Sequence, residues 1–144
     1  MRKALVWASA LALAALAGGR GLGRDRAEAE QAADAYFEAV RAGDLERATR
    51  LFSPDFFRQT PLDRWLTGMG SLRGKLGDLQ GHQLVNWNIH KRVGAGGGAY
   101  CQLQYQVTYS RHPAQETLLL VRPTGGQSFR ISGHHIVSEA LFLE

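Results

Sequence analysis

The residues best suited to chemistry in this chain are five histidines, four tyrosines and one cysteine. Two of the histidines stand side by side in Ile131-Ser132-Gly133-His134-His135-Ile136. A metal ion held by both would need them on one side of the chain, but the flanking pattern is that of a strand, whose neighbours point to opposite faces. Strict alternation sends His135 inward with Phe129, Ile131 and Val137, and His134 outward with Arg130 and Ser132. On that reading His134 meets solvent, and His135 is a hydrogen-bonded core residue or a polar group at the open end of a concave sheet. His82, His90 and His112 fall in other segments. No His-x-x-x-His, Cys-x-x-Cys or clustered carboxylates supply ligand spacing, so neither a metal nor a cofactor is expected.

Acid/base chemistry needs a desolvated carboxylate or histidine beside an oxyanion donor such as tyrosine. Tyr105, Tyr109 and His135 can share a concave face, but the acids of the strand region are only Glu116 and Glu139, and neither falls clearly within a Tyr/His cluster. Asp55, in Ser53-Pro54-Asp55, reads as turn chemistry. Gly-Met-Gly-Ser-Leu at Gly68 to Leu72 lacks the nucleophile-elbow pattern. Cys101 lies on an apolar face, where an unactivated thiol acts as a small hydrophobe. A non-enzymatic role is therefore expected, with an isomerase- or dehydratase-like enzyme as the alternative. The large inward residues Tyr36, Trp65, Trp87 and Tyr105, with His135, either fill the core or line a pocket for a small apolar ligand.

The elements that must position these residues divide into helices first and strands afterwards. Asp25 and Glu28 have capping-box spacing, and Ala29, Ala32, Ala33, Tyr36, Phe37 and Val40 recur on one helical face that Gly43 closes. Asp44 caps a shorter helix with Leu45, Ala48, Leu51 and Phe52 inside, stopping before Pro54. Thr60-Pro61 opens a third helix with the stripe Leu62, Trp65, Leu66, Met69, Leu72 and Leu76; Gly68, Gly70 and Gly74 leave it dependent on tertiary packing or broken in the middle.

After Gly77 the period changes from 3.6 to 2. Cys101, Leu103, Tyr105, Val107 and Tyr109 alternate with Gln102, Gln104, Gln106, Thr108 and Ser110, a strand with one polar face. Val85, Trp87, Ile89 and Val93 precede it, and Glu116 to Arg122 and Phe129 to Val137 follow. Gly94 to Gly98 and Thr124 to Gln127 are short Gly-rich turns, so the neighbours are antiparallel. The expected fold is α+β: three N-terminal helices packed on the concave face of a curved four-stranded antiparallel sheet. The uncharged face Gln102, Gln104, Gln106 and Thr108 either meets water or packs on a second copy as a homodimer.

At 144 residues the chain has room for one domain. Met1-Arg2-Lys3 is followed by an apolar run, Ala4 to Ala17, too short to span a bilayer comfortably. With Ala15-Leu16-Ala17 before Gly18, this segment reads as a secretory signal cleaved after Ala17, which leaves no membrane anchor; an uncleaved N-terminal anchor is the alternative. The Gly- and Arg-rich stretch 18 to 24 reads as a flexible leader, and residues 25 to 144 as the single domain. The compartment is then periplasmic or extracellular. Arg2 and Lys3 supply half of the net charge of +4. The remaining basic residues are scattered, so no nucleic-acid partner is expected. Cys101, the lone cysteine, leaves no intramolecular disulfide to form.

The order of these pieces resembles the nuclear-transport-factor-2-like or cystatin-like superfamily and, within it, the bacterial exported family called domain of unknown function 4019. The resemblance rests on Ala33-x-x-Tyr36-Phe37 through Gly43-Asp44, on Trp65 with Arg73 and Leu76-Gly77, on Glu116 to Val121, and on Ile131 to Ile136. It covers Ala27 to Val137. Phe129 and His134 stand where such proteins commonly carry other aromatics. The resemblance implies a fold and export, and the ligand or protein partner stays open.

Overall fold

The computed structural model describes residues 19–142; segment 1–17, read from its sequence as an export signal, lies outside the described residues. Four helices, α1 (Gly19–Arg41), α2 (Leu45–Thr49), α3 (Pro54–Gln59) and α4 (Leu62–Leu76), precede four strands, β1 (Leu79–Arg92), β2 (Gly98–Tyr109), β3 (Pro113–Pro123) and β4 (Arg130–Val137), and a short 3-10 turn, Glu139–Phe142. The strands form one antiparallel sheet in the order β1-β2-β3-β4. This is the α+β meander that the change of period predicts.

The helical half differs from expectation in three places. Among the described residues α1 already runs from Gly19, through the stretch for which composition suggests a flexible leader. Asp25 and Glu28 do not form a capping box: both reach across to Arg122 on β3, at 2.8 and 2.7 Å. The segment after Thr49 supplies a fourth helix, because Ser53 accepts from the Phe56 backbone N–H and Pro54 occupies the first turn, where its missing N–H costs nothing.

Helix α4 runs unbroken despite its three interior glycines. Trp65, Met69, Leu72 and Leu76 are buried against the sheet layer, whereas Leu62 and Leu66 are exposed, which narrows the apolar stripe. Packing of the buried face offsets the intrinsic cost of glycine.

In β2 the inward set Cys101, Leu103, Tyr105, Val107 and Tyr109 is buried, and Gln102, Gln106 and Thr108 are exposed. The neighbouring strand follows the same phase, with Ala114, Glu116, Leu118 and Leu120 inside. Three places depart from strict alternation. In β1, Leu79 pairs with Tyr109 and Gly81 with Thr108, and Leu84 pairs with Tyr105 and Asn86 with Gln104, which leaves Gln80 and Val85 as extra residues. In β4, Ile131 pairs with Leu120 and Gly133 with Leu119, which leaves Ser132 as an extra residue. A one-residue bulge inverts the facing of everything beyond it. Val93 lies past the end of β1 and is fully exposed.

Gly43 closes α1 at φ 74°, as expected for a helix C-terminus. Gly77, at φ 91°, lets the chain pass Ser110 so closely that a β-carbon there would lie 2.0 Å from its hydroxyl oxygen. Close approach and positive φ both require glycine there.

Candidate functional site

The Ser132 bulge decides which histidine enters the domain. His135 is exposed, and the His134 side chain is only 5% accessible. This reverses the expectation from alternation: His134 turns inward beneath the helices and His135 turns out. Asp55, read as turn chemistry, sits exposed in the first turn of α3, paired with Arg58.

Around His134 the fold gathers one polar side chain from each of four other elements. Glu116 of β3 is fully buried, and its Oε1 lies 3.0 Å from His134 Nε2. Tyr109, the last residue of β2, donates its hydroxyl to Glu116 Oε2 at 2.5 Å. The Tyr36 hydroxyl from α1 is 3.2 Å from His134 Nε2. Trp65 Nε1 from α4 approaches His134 Nδ1 at 3.5 Å, a long contact. Phe52 closes the box, with its ring centroid 5.1 Å from Trp65 and 5.7 Å from Tyr36.

Donor and acceptor chemistry assigns the protons. The Trp65 indole N–H can only donate, so Nδ1 of His134 must accept and the ring hydrogen sits on Nε2. That hydrogen is shared between Glu116 Oε1 and the Tyr36 oxygen. The two carboxylate oxygens of Glu116 thus receive one hydrogen each, from Tyr109 and from His134.

Burial, then the charge of Glu116, drives the ionisation of Tyr36 well above the ordinary phenol range. Tyr109 is shifted in the same direction by burial, by the Glu116 charge and by the hydrogen bond it gives to Glu116. Both tyrosines therefore stay protonated: Tyr109 donates to Glu116, and the Tyr36 oxygen faces the His134 Nε2 hydrogen. Chemically the cluster is a histidine–carboxylate pair with two phenols, able to hold a charge or pass a proton internally. Glu116 is fully buried, and the His134 side chain is nearly so.

The expected pocket residues separate into four places. Tyr36 and Trp65 join the His134 box, and His135 faces away from it. Tyr105 lies under α1, with its ring 4.9 Å from Phe37 and 5.6 Å from His82. Its buried hydroxyl has no partner among the described residues. Trp87 is half-buried beneath the Arg26 guanidinium, 5.0 Å from the ring centre. Cys101 occupies the apolar face expected of it; burial first, then the charge of Glu30, pushes its thiol up to about 12. Among the described residues no group of three or more His, Cys, Asp or Glu side chains is placed to hold a metal ion.

Next to the cluster is a cavity of about 130 Å³ that the sequence did not indicate. Val40 and Leu45 at the α1–α2 corner, Met69 and Leu72 of α4, Leu79 and Tyr109 wall it, with Arg41, Arg73 and Asp78 among its polar lining. Tyr109 therefore belongs both to the cavity wall and to the hydrogen-bonded cluster. Two larger grooves of about 470 Å³ are more open and more polar, one beside Ser53, Arg58 and Arg130, the other beside Gln115 and Ser138.

Sequence reasoning missed Glu116 and His134 as partners. The period-2 pattern held a signal for the first: Leu118 and Leu120 are inward, so Glu116 shares their face. No local signal marked Ser132 as the extra residue.

No match was found among curated proteins. The family described as a protein of unknown function (DUF4019) matches residues 32–134, which include Tyr36, Trp65, Tyr109, Glu116 and His134. The chain belongs to the DUF4019 family.

Proposed function

We propose that this domain is an exported, non-enzymatic module that binds a small apolar molecule in the cavity walled by Tyr109. The carrying observation is the cavity itself: about 130 Å³, mostly apolar, and set between the end of α1, helix α4 and the end of β2. An apolar protein cavity of about 150 Å³ accommodates benzene, so the available space suits a ligand of similar size. The Glu116–His134 cluster supports this reading by fixing Tyr109, which keeps one wall preformed. Export rests on the signal-like segment 1–17 and on the superfamily resemblance, with its helices over a curved sheet. Among the described residues no helix is long and apolar enough to cross a membrane.

Native mass spectrometry of purified protein, alone and with benzene or a short alcohol, tests the binding reading. Met69→Trp, which fills the cavity, should abolish the adduct while the circular dichroism spectrum stays native. Adducts undiminished by that substitution would contradict it. Intact-mass measurement of exported protein should show a start near Gly18.

A second reading is favoured by one observation, the buried carboxylate bonded to both a histidine and a tyrosine. This is the matched acid/base set that an isomerase- or dehydratase-type enzyme would need. The burial of both groups away from solvent ranks it second. Turnover of a carbonyl compound that Glu116→Gln abolishes without unfolding the chain would reverse the order.

A further inference from the structure

We infer that the molecule held in this cavity is an anionic amphiphile: a carboxylate with a short apolar tail or ring, its charge met by Arg41 and Arg73. This rests on the cavity reading and adds the chemical class of the ligand. The two arginines come from different helices to one rim. Arg41 lies in the last turn of α1, and its side chain makes no hydrogen bond or ion pair among the described residues. Arg73 lies in the last turn of α4 and reaches the α1–α2 corner, its terminal nitrogen 3.8 Å from the site of a β-carbon on Gly43.

Asp78 is the acid of that rim, and Arg73 Nε already engages it at 2.9 Å. Two guanidinium groups against one carboxylate leave an uncompensated positive charge at the mouth of an apolar space. A guanidinium presents parallel N–H groups that match a carboxylate, and such charge-assisted bonds are stronger than neutral ones. The apolar walls take the tail: Leu45, Met69 and Leu72 present no charge to it. A neutral molecule would leave the arginine excess unused, and an amine would be repelled by it.

Isothermal titration with hexanoate, hexanol and hexylamine tests both levels. Hexanoate should bind at least about tenfold more tightly than hexanol, with hexylamine weakest, and the advantage should shrink as salt rises. Arg41→Gln, an exposed change that leaves the core intact, should remove most of that advantage without altering hexanol binding. Arg73→Gln should do the same, with thermal unfolding run alongside because it also releases Asp78. Equal binding of hexanoate and hexanol, or tighter binding of hexylamine, overturns the anionic assignment and leaves the cavity reading standing. Failure of all three to bind overturns both.

Discussion

Glu116 and His134 meet diagonally across β3 and β4: His134 is paired in register with Leu118, yet its Nε2 reaches Glu116 Oε1 at 3.0 Å. The contact joins two strands beneath the helical layer, where a carboxylate without donors would be costly. It also gives the two adjacent histidines different roles.

Substituting those histidines one at a time should separate them sharply. His134→Ala leaves Glu116 with one donor and the Trp65 indole without an acceptor, so urea denaturation should show a loss of about 2–4 kcal/mol. His135→Ala, on the exposed face, should stay within about 0.5 kcal/mol of the parent. Equal losses would contradict the inward placement of His134.

Deleting Ser132 is expected to be mild, because the extra residue goes and Ile131 and Gly133 follow one another opposite Leu120 and Leu119. His134 then keeps its inward phase. The cost should be about 1 kcal/mol, chiefly the Ser132–Ser53 hydroxyl contact. Near-ultraviolet circular dichroism and denaturation measure it; loss of the native aromatic signal would mean that the bulge does more than set the phase.

Alkaline titration should find Tyr36, Tyr105 and Tyr109 silent while the chain is folded, since burial raises all three above the ordinary phenol range. The unfolded chain ionises these groups near pH 10, so above that pH it binds fewer protons than the native state. Stability is thus fully present below about pH 10 and falls above it, by about 1.4 kcal/mol per tyrosine per pH unit until the folded groups ionise or the chain unfolds. In a Tyr100→Phe background, which leaves only the three buried phenols, tyrosinate absorbance should rise together with unfolding; an early rise in native protein would place one of the three in contact with water.

Arg122→Gln should loosen the start of α1. The guanidinium holds Asp25, whose side chain is 4% accessible, and Glu28 beside it, and Lys91 remains as the other partner of Asp25 at 3.2 Å. Leaving a buried carboxylate short of a partner should cost about 3 kcal/mol. Hydrogen exchange should quicken in the first turns of α1 more than in β2.

What was legible in the residues was whatever depends on local period. The alternation of Tyr100 to Ser110, the Gly-rich hairpin turns and the buried stripe of α4 all follow from spacing. Other features depend on partners distant in the chain. Asp25 and Glu28 have the spacing of a helix cap, but the pull of Arg122, almost a hundred residues on, outweighs that local option. Ser53-Pro54-Asp55 carries signals shared by turns and helix starts, and the docking of Phe56 selects the helix. Ser132 was illegible because one unpaired residue leaves no compositional trace while inverting all that follows. The cavity depends on how α1, α4 and β2 meet, which periodicity within any single element does not describe.

One small feature of the sheet bears on solubility. Leu51 and Ser53 exchange backbone hydrogen bonds with Ile131, and Phe52 pairs with Ile131 in a single parallel bridge. The connection between α2 and α3 thereby occupies the start of the outer border of β4. At the opposite border, β1 is interrupted twice and ends in Lys91 and Arg92. Neither side offers a long flat template for another chain to copy, so this domain should resist fibril growth when it is concentrated or refolded.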